Sequence, residues 1–235
     1  TNSMLATVAP PPSRLPDPSA PRVRSTGAPG AGPDSGSTMA DADFFEQFTV
    51  GVSDEAVFDL RRRLADTRWP DQIDNTGWDD GCNLAWLRSL ADYWADGFDW
   101  RSAEARINSF DQVTTTIDGQ RIHAIHQRSP EPDALPLLIS HGWPGSIVEF
   151  LQVLGPLTNP VAHGGEPEDA FHVIAPSLPG YTWSGPTAEQ GWGPDRTGRA
   201  FALLADRLGY ERYGVQGGDW GSLVSQHIAG HDPDH

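Results

Sequence analysis

One short stretch constrains this chain more than any other. Tyr213-Gly214-Val215-Gln216-Gly217-Gly218-Asp219-Trp220-Gly221-Ser222 is a short apolar strand that runs straight into glycines around a single carboxylate. The spacing small-x-Asp-x-small is that of a nucleophile elbow, with aspartate in the place more often held by serine. In such a bend the central residue is strained, so the residues two positions to either side must be small, and Gly217 and Gly221 meet that demand. A helix starting after the bend aims its N-terminal amides at Asp219 and favours the ionised carboxylate. A carboxylate nucleophile forms an ester with an electrophilic carbon, which suits alkyl transfer better than peptide cleavage. Taken alone, the stretch also reads as an ordinary Gly-Asp turn that caps a helix.

A second block separates these readings. Leu135-Pro136-Leu137-Leu138-Ile139-Ser140 has the character of a buried strand, and His141-Gly142-Trp143-Pro144-Gly145-Ser146 follows it directly. In α/β-hydrolase architecture the loop after this strand lends one backbone N–H to an oxyanion hole, and the residue after the nucleophile lends the other. Here these are the amides of Trp143 and Trp220, and each donor of this kind contributes roughly 3 kcal/mol of transition-state stabilisation. Pro144 fixes the loop, while Gly142 and Gly145 allow close backbone approach.

With these two blocks the chain resembles the epoxide hydrolases of the microsomal and juvenile-hormone type. A third block carries the same resemblance: Val57-Phe58-Asp59-Leu60-Arg61-Arg62-Arg63-Leu64-Ala65-Asp66-Thr67-Arg68-Trp69-Pro70, then Tyr93-Trp94, Phe98-Asp99-Trp100-Arg101 and Glu104. The likeness runs over residues 44 to 235. It implies an epoxide hydrolase N-terminal region over 39–150 and a partial α/β-hydrolase core over 151–235, after a tail over 1–38 whose composition predicts disorder. The expected fold class is α/β: a helical meander, then the first half of a mostly parallel sheet with an antiparallel entry.

Pattern along the chain agrees with that division. Residues 1–38 are rich in Pro, Ala, Ser and Gly without apolar periodicity, and Met39 is a natural start. Ser53 caps an amphipathic helix that stops near Trp69-Pro70, and helices follow over 84–95 and 100–108. Two β-rich runs flank Asp118-Gly119, a hairpin signal. Strand 137–140, a helix over 146–157, strand 172–175, a helix over 195–208 and strand 213–216 then alternate. The tryptophans of the meander suit a segment that buries aromatic area against another surface.

A formal net charge of −16 disfavours nucleic acid and anionic membranes as partners. All 16 basic residues are arginine, which removes Schiff-base lysine chemistry. Cys82 is the single cysteine, so a reducing cytoplasm is the expected home. No apolar stretch is long enough for a membrane anchor.

By resemblance, Asp219 attacks the less hindered carbon of a small-molecule epoxide, and the Trp143 and Trp220 amides hold the oxyanion as water cleaves the ester to a vicinal diol. No metal or organic cofactor is implied. His141 is given a structural role in the oxyanion loop. Tyrosines of a cap domain, a late acid and a catalytic histidine belong to the family's pattern after the nucleophile, yet Asp219 stands 16 residues before the last residue. His227, His231 and His235 fall on the helix after the bend or at its end, and none is read as the base. The expectation is therefore an N-terminal portion of an epoxide hydrolase lacking cap, acid and base. The alternatives are a haloalkane dehalogenase-like hydrolase, or a catalytically inactive fragment or binding module. Ser184, Gly185 and Trp192 are secondary candidates for a pocket wall.

Overall fold

The computed structural model describes residues 45–233. The expectations for residues 1–38, Met39 and His235 lie outside them. The first helix, α1 (Asp54–Ala65), begins where Ser53 Oγ accepts the Ala56 amide at 3.2 Å. Asp54 and Glu55 in its first turn and Arg62 and Arg63 in its last complement the helix dipole. It ends a turn short of Trp69-Pro70, where the Thr67 hydroxyl donates to the Arg63 carbonyl oxygen. The second helix, α2 (Leu84–Asp92), is shorter than its pattern, because the chain widens into a π-type turn over Tyr93–Gly97. That turn closes with Phe98 N–H donating to Tyr93 O at 2.8 Å, and Gly97 is packed too tightly against the Tyr93 ring to carry a side chain. Asp99 then caps α3 (Trp100–Ile107).

Neither α1 nor α2 buries a residue fully, and Trp78, Trp86 and Trp94 remain about half exposed. That part of the aromatic area expected to be buried against another surface is open among the described residues, whereas Trp100 packs on the core. The meander is anchored at its end instead. The Asn108 amide bonds to both N–H and C=O of Val50, and Glu104 Oε1 accepts from the Val52 amide at 2.7 Å.

The sheet has six strands: β1 (Glu46–Gln47), β2 (Gln112–Ile117), β3 (Gln120–Gln127), β4 (Leu135–Ser140), β5 (Phe171–Pro176) and β6 (Gly214–Gly217), in the order β1-β2-β3-β5-β4-β6. Asp118 (φ 50°) and Gly119 (φ 74°) form the tight β2–β3 turn, both in the left-handed region that a two-residue hairpin demands. β1, β2, β3 and β5 pair antiparallel in succession, and β5, β4 and β6 pair parallel. This is the antiparallel entry into an α/β sheet.

Alternation along the strands builds a core on each face. Leu138 and Ile174 pack with Phe201, Leu204, Val224 and Ile228 beneath α5 (Pro194–Arg207) and α6 (Trp220–His231). Ile139, Val173 and Ala175 pack on the other face with Val50, Ile107, Ile147 and Leu154. The continuous helix expected over 146–157 is broken into a 3₁₀ turn (Ile147–Phe150) and α4 (Leu154–Thr158). Pro156 explains the break: in a helix running from 147 its ring would meet the carbonyl four residues back, whereas the first turn of α4 accommodates it. No helix among the described residues is long and apolar enough to cross a membrane.

Candidate active site

Strand register decides where the two glycine-rich loops meet. β4 and β6 are parallel neighbours with Ser140 opposite Gly217, so the chain leaves both strands at the same sheet edge, side by side. Open α/β sheets hold their ligands beyond the carboxyl ends of their strands. From β4 emerges His141-Gly142-Trp143-Pro144, with a cis bond before Pro144; from β6 emerges Gly218-Asp219.

Asp219 has φ 52° and ψ −124°, a strained conformation for a residue with a side chain, of order 1–3 kcal/mol. The surroundings leave it little choice. A Cβ on Gly221 would stand 2.1 Å from Ser140 O, and one on Gly217 would stand 2.2 Å from Gly221 O. Helix α6 therefore starts hard against the end of β4, and the turn between strand and helix has no slack. Ser222 clamps the bend, its amide and hydroxyl both donating to Asp219 O at 3.0 and 2.6 Å.

The carboxylate is exposed, and its Oδ1 accepts the Trp143 N–H at 2.8 Å. That bond first, and the Trp220 amide second, hold the Asp219 carboxyl below the usual carboxylate range. Both amides thus act on the Asp219 carboxylate, the Trp143 N–H through Oδ1. Both indole rings stand largely open, Trp143 at 65 % and Trp220 at 47 % exposure. Trp220 also lines a cleft of about 150 Å³ with Leu178, Tyr181, Trp192 and Val224.

His141 lies beneath this loop, buried. Its Nε2 accepts the Leu178 N–H at 3.1 Å, which leaves Nδ1 protonated to donate to Gly142 O at 3.0 Å. One imidazole thereby ties the loop after β4 to the loop after β5, and burial keeps it neutral by lowering its pKa. Behind it is a buried polar chain. His123 Nδ1 meets Ser177 Oγ at 2.9 Å, His123 Nε2 meets Gln112 Oε1 at 3.1 Å, and the Ser184 hydroxyl donates to Ser177 O at 2.6 Å.

The sequence-predicted Asp219, Trp143, Trp220, Gly142, Gly217, Gly221, Pro144 and His141 are therefore brought together. Ser184 is instead buried in the loop scaffold, Gly185 serves a positive-φ turn, and Trp192 lines the cleft beside Trp220. His227 and His231 face Asp195 on α5. Sequence reasoning missed His123, Ser177 and the Leu178 amide. The one signal available was a polar residue inside the apolar run Ile122-His123-Ala124-Ile125.

Residues 45–150 match the family model described as epoxide hydrolase N terminus, and residues 136–235 match the α/β hydrolase fold. A relative from Stigmatella aurantiaca is 48% identical over 182 residues, covering 77% of this chain and 41% of that protein. Epoxide hydrolase 1 of Oryctolagus cuniculus is 36% identical over 208 residues, 87% of this chain and 46% of that one. The crystal structure of juvenile hormone epoxide hydrolase from the silkworm Bombyx mori superposes with a TM-score of 0.73 at 32% identity, over 81% of this chain and 45% of its own. The chain spans about half the length of the curated relatives it matches.

Proposed function

Since this chain belongs to the epoxide hydrolase family of α/β hydrolases, we propose that Asp219 is a nucleophile that opens small-molecule epoxides. The observation that carries this reading is the 2.8 Å bond from Trp143 N–H to Asp219 Oδ1 in a strained, glycine-flanked bend. With Oδ1 engaged by the Trp143 amide, Oδ2 is the oxygen left to attack. It bonds to the less hindered ring carbon as that carbon's bond to the epoxide oxygen breaks, and the released alkoxide takes up a proton. Water then adds to the ester carbonyl carbon, and the negative charge develops on the oxygen facing Trp143 and Trp220. Collapse releases a vicinal diol and restores the carboxylate.

By the family's pattern, tyrosines protonate the ring oxygen, and a histidine oriented by an acid activates the water. Among the described residues His123, His126, His141, His172, His227 and His231 hold other partners. The described residues thus supply the nucleophile and the oxyanion amides. Similarity to epoxide hydrolases over both halves of the chain supports this reading over a dehalogenase.

The test is incubation of the chain with styrene oxide, followed by intact mass and peptide mapping. A mass gain of one epoxide mapped to Asp219, and absent from Asp219→Asn, is expected. Alkylation that persists in Asp219→Asn would overturn the assignment.

A further inference from the structure

We propose that Asp195, His227 and His231 form a surface zinc site that staples α5 to α6, apart from the candidate active site and independent of its chemistry. His227 and His231 are four residues apart, so they project from one face of α6, their rings 6.3 Å apart and inclined by 24°. Asp195, in the first turn of α5, points Oδ1 between them, 2.8 Å from His231 Nε2 and 3.5 Å from His227 Nδ1. One ligand atom from each residue lies within 4.8 Å of the others. Tetrahedral zinc with ligands at about 2.0–2.2 Å needs them about 3.4 Å apart, so exposed side chains close the remaining gap by small rotations. Two imidazoles and a carboxylate suit this cation, and three protein ligands leave the fourth position to water.

Two further observations make the cluster more than a chance meeting. Gly198 packs against the backbone of α6, where a Cβ would stand 2.7 Å from His227 Cβ and 3.0 Å from Ile228 N. The helices are therefore locked at their closest approach one turn from Asp195. Arg199 holds the other carboxylate oxygen, Oδ2, at 2.9 Å, which orients Oδ1 towards the imidazoles. On binding, zinc replaces the proton that His231 Nε2 shares with Asp195. The same guanidinium repels a cation, so the site is expected to be reversible.

The untagged 235-residue chain is titrated calorimetrically with zinc chloride, and its thermal midpoint is followed in parallel. One saturable equivalent and a rise in midpoint are expected. His227→Ala, His231→Ala and Asp195→Asn should each weaken binding by about tenfold or more, as even outer-shell changes do. The double variant H227A/H231A should lose the rise in midpoint. His163→Ala and Cys82→Ser should bind as the parent does. Absence of saturable binding, or full affinity retained in the double variant, would overturn the proposal.

Discussion

Gly142 lies so close to Asp219 that a Cβ in place of its hydrogen would stand 2.6 Å from both Cβ and Oδ1 of the aspartate. The atom it would strike is next to the main chain, so no flexible end can swing away. Gly142→Ala is expected to displace the carboxylate from the Trp143 amide and to slow alkylation of Asp219 by about tenfold or more, because a nucleophile misplaced by about 1 Å can lose up to about 10²-fold in rate. Single-turnover mass spectrometry with styrene oxide measures it. Unchanged alkylation would show that this contact does not set the position of the carboxylate.

The glycines of the bend should separate sharply in stability. Ala at Gly217 or Gly221 drives a methyl into backbone atoms 2.2 or 2.1 Å away. Each should cost about 3 kcal/mol or more, the upper end of overpacking. Gly218, between them, has open space at its Cβ position and no positive φ, so Gly218→Ala should change stability by about 0.5 kcal/mol or less. Urea midpoints compared across the three variants check the order.

Acid should begin to weaken the fold well above the carboxylate range. Burial pushes His123 down to about 3 and His126 down to about 4 from an ordinary value of 6.5. Between those values and 6.5 the unfolded chain takes up protons that the folded chain refuses, so stability falls as pH falls. The loss reaches at most about 1.4 kcal/mol per pH unit for each histidine, and nothing is lost above 6.5. Carboxyls lowered by their partners, such as Glu104 beside the Val52 amide and Arg101, add a loss only below their ordinary range. Urea midpoints between pH 7 and pH 5 should therefore decline, and less so in His126→Phe. A flat profile over that interval would contradict neutral, buried rings.

His141 positions the loop after β4 through both ring nitrogens. His141→Ala leaves the Leu178 N–H and Gly142 O without their partner, at a cost of about 1–3 kcal/mol. Because Gly142 immediately precedes Trp143, alkylation of Asp219 should fall as well. His141→Asn, whose amide can satisfy one of the two groups, should recover part of the stability. Equal loss of reactivity at Gly145→Ala, where the added Cβ meets chiefly the movable end of Glu149, would mean that any disturbance of the loop suffices.

The sheet and the bend were legible because their signals are local. Short apolar or β-rich runs mark β3 to β5, Asp118-Gly119 marks the hairpin, and Gly217-Gly218-Asp219-Trp220-Gly221 marks a strand-to-helix turn with one possible centre. Two helices were misread where a local pattern was overruled. Pro156 split 146–157, and the Tyr93–Gly97 turn shortened 84–95. The support beneath the site was not legible at all. That Leu178 reaches His141, or that Asp195 faces His227 and His231, depends on which strands and helices become neighbours. Residue spacing along the chain does not encode those meetings.

The oxygen that faces the amides determines the fate of the ester. If Oδ1 stays with Trp143 while Oδ2 carries the alkyl group, the carbonyl carbon is the activated position and water attacks there. His123, His126, His141, His172, His227 and His231 have their partners away from Asp219, so release should be slow and little diol should accumulate from this chain. Isolated ester left in heavy-oxygen water should then return its label to the Asp219 carboxylate, with none in the trace of diol, because the diol keeps the original Oδ2. Label in the diol would mean attack at the alkyl carbon, with the two amides playing no part in breakdown. Rapid diol formation would instead place an effective base within reach of Asp219.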